Sequence, residues 1–331
     1  MSLIHARRIP ALGATVVLVL IASASAYGGL DPNGSSGTSA GSGKAKCTFG
    51  VVRFDGTDPF SNASTDGTAQ YAKSIGCKAT IVDAQGSVDK ANSAITNLAV
   101  SGATAIAIGV FPTSALKAGV AAARAKKIPV ASWGGGVGPG VSFAASIGQG
   151  AGISKRLVRD LGGRGSVLDL GYRPGLPCQQ RETAFLAAVK GTRIKVTKQQ
   201  ITIPGQVTSA QQATLAWAAS HPAGKEPLAV WACFDDPASG AVAALRSLGR
   251  TDVKVYGING TSTAIALIKA GQMTATTWID GKDQGIRLGK LLWKAAKEGP
   301  PAKPVTIGAK TIIVDKANVD AFLKAHPGLA K

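Results

Sequence analysis

Histidine is nearly missing from this chain, and the few present stand apart. His5, His221 and His326 fall in an N-terminal leader, at the end of a helix-patterned stretch and in the tail. They cannot meet as a metal cluster or serve a Ser-His-Asp triad together. Carboxylates are outnumbered, 18 Asp and Glu against 37 Lys and Arg. The adjacent Asp235 and Asp236 point different ways and make no acid/base couple; capping a helix that starts at Pro237 accounts for Asp236. These gaps predict no metal, no cofactor and no catalytic residue, hence a protein that is not an enzyme. Aromatics are 5% of the chain, and no basic run is interleaved with them. The formal charge of +19 therefore points to solubility or attraction to an anionic cell envelope, not to nucleic acid. No apolar run reaches the ~20 residues needed to cross a bilayer.

What is present begins with a secretion signal over residues 1–26. Arg7 and Arg8 form its positive start, residues 11–21 its apolar stretch, and Ala24-Ser25-Ala26 its cleavage site. The alternative is an uncleaved anchor. The first cysteine is Cys47, so none lies beside the cleavage site to take a lipid. Residues 27–46 are Gly- and Ser-rich and bury too little to offset their ordering entropy, which makes them a flexible linker. Gly37-Thr38-Ser39-Ala40-Gly41 matches a hydrolase nucleophile elbow in letters only, because that turn needs a strand before it and a helix after it. The four cysteines of an exported chain suggest two disulfides, with three connectivities open.

From Cys47 onward roughly 285 residues remain, the size of two packed lobes. Short β-branched runs alternate with amphipathic stretches. Strands are expected at 48–54, 78–83, 105–110 and 129–133, with helices at 62–75, 87–100 and 113–125 between them. A Gly-rich turn at 134–140 and the run 141–146 break this rhythm. It restarts with helices at 152–161, 180–190, 208–220 and 237–248 and strands at 166–171, 194–202, 229–233 and 253–259. The tail adds helices at 262–270 and 283–298 and strands at 274–279 and 311–314. Such βαβ units wind into parallel sheets, giving an α/β fold of two doubly wound lobes. Ligands of such sheets bind beyond the carboxyl ends of the strands, so the loops after the strands are the ones to inspect.

Several of those loops and strands carry a resemblance. Gly50-Val51-Val52 with Asp58-Pro59-Phe60, Ile81-Val82-Asp83-Ala84-Gln85-Gly86, Lys126-Lys127-Ile128-Pro129-Val130 and 252–261 followed by 271–276 resemble ribose- and galactose-type periplasmic binding proteins. These are the type I substrate-binding proteins of ABC importers. The resemblance runs from about residue 48 to 314 and implies a three-crossing hinge, with crossings near Ser146, Ile279 and Gly308. Lobe one would then be 47–146 plus 280–308, and lobe two 147–279 plus 309–331. It implies ligand contacts at Asp58, Phe60, Phe111, Gln179, Arg181, Phe234, Asp235, Asn259 and Asp280.

The chain departs from the family pattern at several of these positions. Gly134 and Gly135 replace an Asp-Arg pair, Phe111 falls near an Asn, Gln179 matches an Arg, Phe234 an Asn, Asn259 a sugar-binding Asp and Ile279 a Gln. Phe60, Phe111, Trp133, Phe234 and Trp278 gather at the cleft loops, where aromatic faces stack on sugar rings or on apolar ligands. Asn259 and Asp235 are expected to orient the ligand and Phe60 and Phe234 to flank it. The implied function is an exported solute-binding protein for a sugar or sugar-like molecule; an aromatic or other non-sugar ligand, or a sensing role, is the alternative. Implied partners are the small molecule and a membrane permease or membrane sensor, with the chain itself a monomer. A sugar-repressor regulator would share the fold but needs an N-terminal helix-turn-helix where this chain has its leader. In the doubly wound order Cys47 and Cys77 open neighbouring strands, and Cys178 and Cys233 lie at the cleft end of lobe two. The expected disulfides are therefore Cys47–Cys77 and Cys178–Cys233, the second pair being alternatively two buried thiols.

Overall fold

The computed structural model describes residues 47–330. The signal at 1–26 and the linker at 27–46 lie outside the described residues. Two six-stranded sheets organise the chain. The first holds β1 (Thr48–Arg53), β2 (Lys78–Asp83), β3 (Ala105–Ile108), β4 (Val130–Trp133), β5 (Phe143–Ala145) and β11 (Val305–Ile307), in the order β11-β5-β4-β3-β1-β2. The second holds β6 (Arg164–Gly171), β7 (Arg193–Gln200), β8 (Leu228–Ala232), β9 (Val253–Asn259), β10 (Ala275–Ile279) and β12 (Thr311–Asp315), in the order β12-β10-β9-β8-β6-β7. All pairings are parallel except β10 with β12. Helices cover both faces, so central strands are apolar throughout: every residue of β3 and β8 is buried. The α/β fold of two doubly wound lobes joined by three crossings is the one the sequence predicts.

Three elements were not foreseen. The run 141–146 contains β5, which extends the first sheet beside β4; at three residues it is too short to show a period. The same holds for β11. Helix α10 (Val319–Ala325) follows β12. Helix α5 (Leu176–Val189) also starts four residues earlier than expected, because Pro177 occupies its first turn, where a missing N–H costs nothing. Helix α7 (Asp235–Ser247) starts at Asp235 with Phe234 at the cap position and no side-chain cap. Asp236 is therefore inside the first turn and is not the N-cap; it accepts a hydrogen bond from Gln206 Nε2 at 3.1 Å.

The chain leaves the first sheet after β5, returns after β10 and leaves again after β11. These crossings are laced together: Ser146 N–H donates to Ile307 O at 2.9 Å, and Asp280 N–H to Lys310 O at 3.4 Å. After the second crossing, helix α9 (Gly281–Glu298) packs on α1 (Pro59–Ser74). The two backbones approach so closely that a Cβ on Gly285 would overlap the Ser64 carbonyl. Thr68 Oγ1 donates to the Gly285 carbonyl at 2.9 Å across this contact. Gln284, fully buried, donates to Ser146 O at 2.9 Å and accepts from Trp133 Nε1 at 3.1 Å. One side chain thus joins α9, β4 and the first crossing. The structure joins Cys47 to Cys77 and Cys178 to Cys233, with Cα separations of 4.9 and 5.2 Å, inside the usual disulfide range.

Candidate functional site

Both sheets turn their carboxyl ends toward each other, and a narrow cavity of about 40 Å³ lies between them. Its lining includes Asp58, Phe60 and Trp133 from the first sheet's loops and Arg181, Phe234 and Asn259 from the second's. The space is on the order of three water molecules.

Local sequence explains each placement. Asp58 closes the loop after β1 and caps α1, its carboxylate accepting from Phe60 N at 3.0 Å with Pro59 as the first helical residue. Phe60, two residues on, packs against Trp133 with ring centroids 4.7 Å apart. Arg181 projects from the early part of α5 and is 2% exposed. Its Nε donates to Ile147 O at 2.9 Å, Nη1 to Cys233 O at 2.7 Å and Nη2 to Asn259 Oδ1 at 3.0 Å. The Cys178–Cys233 disulfide ties the same helix start to the end of β8, so the guanidinium hangs from a cross-linked frame. Asn259 ends β9 at φ 132°, a region that costs a non-glycine residue roughly 1–3 kcal/mol. Gly260 after it packs so tightly on Trp278 that a Cβ would stand 2.5 Å from that side chain.

Several buried carboxyls surround a single guanidinium here. Burial pushes the Asp58 carboxyl up to about 7, helped by the charges of Asp236 and Asp55, while N–H donors from Phe60 and Ser61 pull the other way. Burial lowers Arg181 to about 10, against the pull of Asp235 and Asp58. Asp235 is pushed up to about 6 by burial, against hydrogen bonds from Thr276 and Thr261. One carboxyl from the first lobe thus faces one guanidinium from the second, which suits an uncharged ligand with hydroxyls to share between them.

The remaining sequence-predicted residues lie elsewhere. Phe111 is fully buried against Phe54, at 4.7 Å between centroids. Gln179 is exposed and donates to the Arg173 carbonyl. Asp235 turns back into its own lobe, accepting from Thr261 N at 2.8 Å and Thr276 Oγ1 at 2.6 Å. Trp278 and Asp280 line a larger space of about 380 Å³ beside the second crossing, together with His326, and Phe60 and Asn259 border both this space and the cleft cavity. There Trp278 and His326 lie 4.3 Å apart, and Asp280 caps α9 by accepting from Asp283 N at 3.0 Å. Ile147, Tyr172 and Ile203 also line the cleft cavity without having been singled out. Ile203 follows β7, and the rule that directs attention to loops after strands would have found it there. Among the described residues no His, Cys, Asp and Glu cluster could hold a metal ion, and no helix is long and apolar enough to cross a membrane.

The sequence model of a periplasmic binding protein domain matches residues 49–300. The chain is 27% identical over 260 residues to the ribose import binding protein of Bacillus subtilis, covering 77% of this chain and 82% of that protein. The ribose import binding protein of Salmonella typhimurium is also 27% identical, over 248 residues, with 73% and 82% covered. Among solved structures, an ABC transporter solute-binding protein from Mycobacterium smegmatis with bound glycerol superposes with a TM-score of 0.73 at 27% identity, covering 83% of this chain and 96% of that one. One from Agrobacterium vitis with bound allitol gives a TM-score of 0.77 at 21% identity, covering 84% and 98%.

Proposed function

Since the chain belongs to the periplasmic binding protein family, we propose that it is an exported solute-binding protein that carries a small neutral sugar or polyol to the permease of an ABC importer. The observation that carries this reading is the cavity walled from both lobes, where Asp58 faces Arg181 and Asn259. A ligand there touches both lobes at once and therefore favours the closed arrangement over the open one, the condition for driving closure. The relatives that bind ribose, glycerol and allitol support the ligand class.

The moving bodies are residues 47–146 with 280–308 and residues 147–279 with 309–331, behind a signal at 1–26 and a linker at 27–46. Asp58, Arg181 and Asn259 bind ligand hydroxyls, and Phe60, Trp133 and Phe234 pack on its carbon skeleton. The protein binds and releases its ligand unchanged and works outside the cytoplasm. Small-angle scattering of the exported protein with and without saturating ligand tests the closure, alongside chromatography of the ligand recovered afterwards. The expected result is a smaller radius of gyration and intact ligand. An unchanged radius removes the closure mechanism, and altered ligand makes the protein an enzyme.

A further inference from the structure

Few groups in the cavity's wall could satisfy a hydroxyl-rich ligand, and the following rests on reading it as a sugar or polyol site. On the first lobe only Asp58 brings a polar side chain, and one of its oxygens already accepts from Phe60 N. Trp133 points its N–H away to Gln284. Gly134 and Gly135, which follow β4, bring no side chain. In this arrangement none would fit, since a Cβ on Gly134 would lie 2.7 Å from Ile147 and one on Gly135 would overlap the Phe111 carbonyl.

On the second lobe Asp235 is spent on Thr261 and Thr276. Arg181 has three of its N–H groups committed to Ile147, Cys233 and Asn259, and the Asn259 carbonyl is taken by Arg181. What remains for a ligand is a carboxylate oxygen, the spare guanidinium N–H groups, one amide NH₂ and the Tyr172 hydroxyl. Around them stand Phe54, Val110, Ile147, Pro177 and Ile203 with the aromatic faces already described. Every hydroxyl carries one hydrogen that must find an acceptor, and a buried one left unpaired weakens binding.

We infer that the ligand is a hydroxyl-poor sugar or polyol, such as a deoxy sugar, which gathers its hydroxyls at Asp58, Arg181 and Asn259 and turns methyl or methylene groups to the apolar wall.

Matched pairs that differ by one hydroxyl decide this. D-glucose with 6-deoxy-D-glucose, and D-galactose with D-fucose, are titrated into the exported protein by calorimetry, with glycerol and allitol alongside. The deoxy member of at least one pair is expected to bind about tenfold more tightly, because the removed hydroxyl has no partner in the wall. If the fully hydroxylated member binds equally or better in both pairs, the inference is overturned while the sugar reading stands. If no sugar or polyol binds at all, the proposed function fails and the inference with it.

Discussion

Asp169 has the least supported carboxyl in the described chain. It sits inside β6, 1% exposed, with neither oxygen hydrogen-bonded. Burial pushes it up to about 7, with the Glu182 charge adding and Lys198 opposing. Its ordinary value is 3.8, so the folded protein holds this proton more tightly than the unfolded chain does. The stability linked to it is complete below pH 3.8 and is lost as pH rises through about 7. In Asp169→Asn the group cannot ionise. The variant's melting temperature relative to the parent should therefore climb by several degrees between pH 4 and pH 8, at about 2–4 °C per kcal/mol. A constant difference across that range, followed by circular dichroism, would show that Asp169 does not titrate there. Nothing in the sequence announces this carboxyl, because the run 166–171 reads as an apolar strand with one charged letter. Asp235 teaches the same lesson at the cleft. Its position at a strand end is legible, but whether the side chain faces the ligand or its own lobe depends on the Thr261 and Thr276 donors, which come from distant segments.

At the scale of elements the reading from sequence is much fuller. Strands β2 and β9 match their expected limits, since β-branched alternation and bounding turn residues are local signals. What escapes is short or set by packing: β5 and β11 have three residues each, and their existence depends on a sheet edge already in place. The contact between α1 and α9 is likewise invisible in either helix alone. Gly67, Gly285 and Gly289 read as weak points in helices, yet each lies where the other helix comes closest. Gly285→Ala should cost about 1–3 kcal/mol, the range for overpacking a tight interior, and more if the backbones cannot part. Urea unfolding checks it. An unchanged midpoint would mean that the two helices are free to separate. Because Gln284 sits next to Gly285 and holds the first crossing through Ser146, the same substitution should also weaken ligand binding by disturbing the hinge.

For the molecule as a whole, the alternation of strands and helices foretold two lobes, and the resemblance to a family foretold that the chain passes between them three times. Neither could foretell how tightly the passages are bound together, because the bonds from Ser146 to Ile307 and from Asp280 to Lys310 join residues far apart in sequence. That interleaving sets a timetable for synthesis. The first sheet receives β11, and α1 receives its partner α9, only when the segment 281–307 has emerged, about nine-tenths of the way along the chain. A growing chain has therefore made nearly all of its second lobe before its first can be finished. Such a precursor stays incompletely folded until translation is almost over, which suits a polypeptide that has to be threaded through a membrane before it can work. A chain ending at Ile279 should accordingly leave residues 47–146 open to protease while the full-length protein protects them. Equal protection in the two would show that the first lobe closes without its late-arriving pieces.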